Sequence, residues 1–182
     1  MARTFTTSYL EDSLTVFRQY KKMAEAAMAQ VTDEQLFAVL DNEMNSIGVI
    51  VKHITGNMRS RWTDFLTSDG EKPNRNRDNE FVDPPPTREA LMNTWEEGWA
   101  CVFSALEPLS ERDLTRTVTI RGEPHSVMQA INRQLAHYAS HIGQIVLLAK
   151  HFQRDKWKSL SIPKNKSAEY TRTTVSGGAS QR

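Results

Sequence analysis

The chain lacks most of the features that announce a function class. It has one cysteine, Cys101, so it forms no internal disulfide and is not a stapled secreted scaffold. The longest apolar runs, such as Ile145–Ala149, fall far short of the roughly 20 residues a membrane helix needs. Neither sign of charge dominates: 23 Lys and Arg face 22 Asp and Glu, a formal net of +1. That balance makes no field to collect nucleic acid and no acidic solvating tail, so neither a nucleic-acid nor a membrane partner is expected. Met1–Ser8 has no apolar stretch or small-residue cleavage site, and Glu11 and Asp12 follow, which sets a cytoplasmic location as the expectation. A Gly-rich phosphate loop, a Gly-x-Ser-x-Gly elbow, a Cys-x-x-Cys pair and His-Glu-x-x-His are all missing.

What is present is helical periodicity, in a chain of 182 residues, about one domain's worth. From Ser8 to Val31, Leu10, Leu14, Phe17, Ala24 and Met28 recur at three- and four-residue steps, and Ser8 with Glu11 has capping-box spacing. Thr32 with Gln35 repeats that spacing before a short turn through Leu36, Phe37 and Leu40. Met44, Ile47, Val51, Ile54, Met58, Trp62 and Phe65 write a second long helix over 42–66. Turn chemistry then runs from Thr67 to Pro86, either a lid or binding loop or a surface crossing between helices, pinned by Phe81 and Val82. Thr87 caps a third helix through Leu91, Trp95, Trp99, Val102 and Leu106, stopped by Pro108. Its apolar neighbours predict that Cys101 is buried. The β-branched run Thr117–Ile120, ended by Arg121-Gly122, predicts a small β-hairpin before a fourth helix that starts at His125 or Ser126 and ends near Phe152.

The pattern predicts an all-α fold: a four-helix bundle with a long loop between helices 2 and 3 and a small β-hairpin before helix 4. Residues 1–162 form one domain and 163–182 a polar C-terminal tail. Within that frame the histidines carry the chemistry. His137 and His141 stand at i and i+4 on the fourth helix, so both rings project from one face within reach of one ion. His53 lies off the apolar stripe of the second helix, on a mixed face with Ser46, Val49, Ile50 and Asn57. Three neutral imidazoles beside an apolar wall would leave a divalent cation its full charge and an open position. The other reading of the same pattern is a satisfied core histidine and a half-exposed pair. His125 and His151, near the two ends of the fourth helix, read as structural.

The stretch His53-Ile-Thr-Gly-Asn-Met-Arg-Ser-Arg-Trp-Thr-Asp-Phe-Leu-Thr-Ser-Asp-Gly-Glu-Lys72, with Arg75–Phe81 after it and His137-Tyr-Ala-Ser-His-Ile-Gly-Gln-Ile145, resembles the DinB/YfiT-like superfamily, in a branch of unknown function. The resemblance covers roughly residues 5–155. It implies a four-helix bundle holding a divalent metal, nickel or zinc, on one histidine of the second helix and two of the last, which here are His53, His137 and His141. It further implies a homodimer and a metal-dependent enzyme, a transferase of low-molecular-weight thiols acting on a small electrophile or else a hydrolase, with a small-molecule substrate such as a low-molecular-weight thiol as the partner. A catalytically silent stress-response or interaction protein with the same bundle and metal site is the alternative. Arg59, Arg61, Arg75 and Arg77 either clamp a substrate carboxylate or form a solvated loop paired with Asp64, Asp69, Asp78 and Glu80.

Overall fold

The computed structural model describes residues 5–169. The start of the chain and most of the expected tail, 170–182, lie outside the described residues. Each helix begins at a side chain that satisfies backbone N–H groups left without an intrahelical partner. Helix α1, Tyr9–Met28, is capped by Ser8, whose hydroxyl accepts the Glu11 N–H at 3.1 Å. The expected reciprocal bond is replaced: Glu11 accepts the Thr6 hydroxyl at 2.7 Å, and the Ser8 hydroxyl donates to Glu111. Helix α2, Asp33–Phe37, carries the full Thr32–Gln35 capping box.

Helix α3 runs Ile47–Trp62, shorter at both ends than the periodicity indicates. The Ser46 hydroxyl caps it at Val49, and Met44 lies exposed in the irregular segment before it. Beyond Trp62 the chain turns through Asp64 at φ 49°, so Phe65 reaches the core from a turn rather than from the helix. Helix α4 is Arg88–Leu106 with Thr87 as N-cap. Strands β1, Thr117–Ile120, and β2, Glu123–Ser126, pair antiparallel around Arg121-Gly122, at φ 57° and 77°. Two positive φ values in a two-residue loop match the strand twist, and Gly122 takes its share without steric cost. Helix α5, Val127–Gln153, starts at the Ser126–Gln129 capping box. His125 therefore belongs to β2, opposite Val118, and not to the helix.

The four long helices share one core. Phe17 of α1 touches a ring from each of the others: Trp62 of α3 at 6.3 Å, Trp99 of α4 at 6.2 Å and Tyr138 of α5 at 5.7 Å between centroids. Such edge and tilted contacts suit the ring quadrupoles. Helix α3 packs on α4 and α5, and α1 on α5 and α4. The described residues are thus mostly helical, with four long helices and one two-stranded antiparallel sheet among them.

The loop from Thr63 to Thr87 is tied down along its length. The Ser60 hydroxyl donates to the Gly70 carbonyl at 2.9 Å, and the Gly70 N–H donates to Thr119 of β1 at 2.8 Å. A 3-10 turn, Asp78–Phe81, brings Glu80 and Phe81 against α3. Val82, expected to be an anchor, is 49% exposed; buried Glu80 is the anchor instead.

Candidate metal centre

Helix α3 presents His53 toward α5, which presents His137 and His141 one turn apart. One ring nitrogen of each lies within 4.8 Å of the other two. His137 Nε2 stands 3.4 Å from His53 Nε2 and 3.1 Å from His141 Nε2. Two nitrogens bound to one tetrahedral ion at about 2.0–2.1 Å stand about 3.3 Å apart. Two of the three separations are those of nitrogens sharing one ion, so the cluster could hold a metal, and among the described residues these are the three metal-ligating side chains so grouped.

Hydrogen bonds on the far side of two rings settle which nitrogen faces the centre. His53 Nδ1 donates to Glu80 Oε2 at 2.9 Å, and His141 Nδ1 donates to Gln144 Oε1 at 2.8 Å. With the proton on Nδ1, each Nε2 presents a bare lone pair to the centre. His137 Nδ1 is buried without a protein partner. Burial, with the charges of His141 and His53 adding to it, pushes the His137 imidazole down to about 3. Burial also lowers His141, against the opposing hydrogen bond to Gln144. Both rings therefore stay neutral at physiological pH, the form that ligates a cation.

The walls are apolar and aromatic. Phe81 stacks on His53 with centroids 4.5 Å apart, and the Arg77 guanidinium lies 5.3 Å above the Phe81 ring. A buried polar network adjoins the histidines, the Tyr138 ring standing 5.7 Å from that of His137. Gln134 Nε2 donates to Asn57 Oδ1 at 2.6 Å and to the Tyr138 hydroxyl at 3.0 Å, and Trp62 Nε1 donates to that hydroxyl at 2.9 Å. Two clefts of about 550 and 580 Å³ open elsewhere. One includes Phe65 and Cys101, so the thiol is half-buried beside a cleft rather than enclosed as expected. His125, whose Nδ1 donates to the Glu123 carbonyl at 3.0 Å, and exposed His151 take no part in the cluster.

The four arginines fit neither expectation as a set. Arg75 is buried and bidentate to Glu80, at 2.7 and 2.8 Å, with Glu71 at 3.1 Å. Arg61 is 2% exposed, its Nε and one terminal nitrogen without hydrogen-bond partners and Glu71 3.9 Å from the other. Desolvation lowers its pKa, the Glu71 charge opposing. Arg59 pairs with Glu97 across α3 and α4, and exposed Arg77 rests on Phe81. Sequence reasoning placed Glu80 among solvated loop charges and so missed its contact with His53. A glycine in the turn of helix beside His53, Gly56, was the available signal.

The fold and the cluster define a helical protein with a three-histidine site able to hold one metal ion. Residues 4–166 match the model of the family described as protein of unknown function (DUF1572), and the chain belongs to that family. No curated protein and no solved structure matches the chain. No helix among the described residues is long and apolar enough to cross a membrane.

Proposed function

We propose that this chain is a bundle of the DinB/YfiT-like type that binds nickel or zinc and transfers a low-molecular-weight thiol to a small electrophile. The observation that carries the metal reading is the convergence of the Nε2 atoms of His53, His137 and His141, with Glu80 and Gln144 taking the opposite Nδ1–H groups of two of them. The thiol chemistry rests on the resemblance of the His53–Lys72 and His137–Ile145 blocks.

His53, His137 and His141 would hold a divalent cation as neutral imidazoles, leaving it the charge that would lower the pKa of a thiol well below about 8.5. The protein's own contribution is positional. His53 and His141 are held by their Nδ1 bonds with Nε2 aimed at the centre, and low basicity keeps protons off His137 and His141. Phe81 shields the His53 face from water. Arg77, fixed over Phe81, offers a cation at the rim for an anionic group of the substrate.

One observation favours the second reading, a catalytically silent stress-response or interaction protein that keeps the metal. Glu80, the carboxylate beside the cluster, is committed to Arg75 and His53, which leaves it no role as a general base. Thiol consumption by the metal-loaded protein with a reactive electrophile separates the two. Turnover that His137→Ala abolishes is the expected result; equal rates in both proteins would leave the silent reading. The resemblance also supports a homodimer, for which light scattering on the purified protein should give twice the 20.8 kDa chain mass.

A further inference from the structure

We infer that Glu80, locked by Arg75 and admitted by Gly56, is a positioning residue for the metal centre: it fixes the ring orientation and tautomer of His53 and thereby sets the affinity for the cation. The inference rests on the metal reading above. Its residues lie outside the three expected ligands.

The geometry keeps Glu80 out of the ligand set. Its Oε2 meets His53 at Nδ1, while Nε2, across the ring, faces His137. A carboxylate on the outer nitrogen of a ligating histidine holds the proton there, orients the ring and raises the donor strength of the inner nitrogen. Glu80 is built for that task. It is 6% exposed, and both oxygens are occupied on the far side by the Arg75 guanidinium, at 2.7 and 2.8 Å. The fork geometry sets the orientation of the carboxylate. Arg75 is fixed in turn by Glu71, so the carboxylate belongs to a rigid chain of charges.

The backbone of α3 makes room for it. A Cβ on Gly56 would stand 2.5 Å from Glu80 Oε1 and 2.8 Å from its carboxyl carbon. A side chain at 56 therefore requires the Glu80 carboxylate to shift from its place beside His53. Phe81, next in sequence, stacks on the same imidazole, so the 3-10 turn delivers both the hydrogen bond and the packing that hold the ring. A structural ion pair needs only Glu80 and Arg75. The added bond to His53 and the glycine clearance are what point to the metal centre.

The test uses the whole chain in two measurements. Long-range nitrogen–proton NMR on the metal-free protein reads the His53 tautomer. The wild type is expected to show the proton on Nδ1, and Glu80→Ala and Gly56→Ala a mixture. Competition of zinc against a chromophoric chelator reads affinity, with an expected loss of about 10–100-fold in both variants. Glu80→Gln keeps the shape and an acceptor oxygen, so it should retain the Nδ1–H form with a smaller loss of affinity. It also carries the test should Glu80→Ala fail to fold. A wild-type His53 tautomer with wild-type zinc affinity in Glu80→Gln and in a folded Glu80→Ala or Gly56→Ala would overturn the inference. Absence of zinc binding in the wild type would overturn the metal reading itself, and the tautomer measurement would still decide whether Glu80 orients His53.

Discussion

The Asp69 carboxylate accepts the backbone N–H of Gly122 at 2.7 Å, joining the long loop to the hairpin turn across 53 residues of sequence. The same carboxylate takes the Arg121 N–H at 2.8 Å and the Glu71 N–H at 2.7 Å. Three N–H groups on one anion explain why a non-glycine residue, Arg121, is held at positive φ. Asp69→Ala is expected to cost about 1–3 kcal/mol of stability in urea unfolding. An unchanged midpoint would mean that water replaces the carboxylate at no cost.

That carboxylate also makes a pH prediction. The N–H groups of Glu71 and Gly122, and then of Arg121, hold it below the ordinary carboxyl range. A depressed folded-state pKa means the unfolded chain takes up the proton first as pH falls. The stabilisation is whole above about pH 4 and fades as pH drops through the folded value. The stability gap between wild type and Asp69→Ala should therefore shrink below that pH. A gap that widened in acid would contradict the assignment.

His137 carries a second pH dependence, of the same sign and in a different window. Its imidazole is held near 3, principally by burial, against about 6.5 in an unfolded chain. Between those values the unfolded state binds more protons, so metal-free protein should lose stability as pH falls from about 6.5 toward 3. In His137→Gln the slope across that window should be smaller. Chemical denaturation at a series of pH values checks it.

Metal should act on stability by mass action. A cation that binds the folded chain alone stabilises it by about 2.7 kcal/mol at a hundredfold excess over Kd, several degrees of Tm for a domain of this size. Nickel or zinc is expected to raise the wild-type Tm and to leave the paired His137→Ala, His141→Ala variant unmoved. Elemental analysis should find near-stoichiometric metal in the first and none in the second. An equal shift in both would place the cation elsewhere.

Tyr138, whose ring stands 5.7 Å from that of His137, ties the neighbourhood of the site to the core, since its hydroxyl accepts from both Trp62 and Gln134. Tyr138→Phe keeps the ring contacts with Phe17 and Trp99 but strands two buried donors. The expected loss is about 1–3 kcal/mol at unchanged denaturant slope. Retention of full stability would show that Asn57 or water satisfies both donors.

Much of this was legible in the residues, for reasons that are local. The stripes through Phe17, Trp62, Trp99 and Tyr138 follow from helical geometry, and Thr32–Gln35 closes as a capping box within four residues of chain. The helix borne by Met44 and Phe65 was overdrawn because periodicity counts apolar residues without registering Ser46 as a cap or Asp64 as a turn. His53, His137 and His141 could be singled out by face and spacing, and the structure brings all three together. The Arg and Glu residues of 59–80 could not be sorted. Whether a charge is solvated or buried depends on partners that the local pattern does not show.

The sequence by itself determined the helices, the hairpin and the three histidines, because each is set by contacts within a few residues of chain or by a periodicity of one element. Only the tertiary structure decided what surrounds those histidines. The pairing of Glu80 with His53, the burial of Arg61 and Arg75 and the capture of the hairpin turn by Asp69 join segments from 5 to 53 residues apart. Such contacts form when packing removes water from one particular set of charges, which must then find each other.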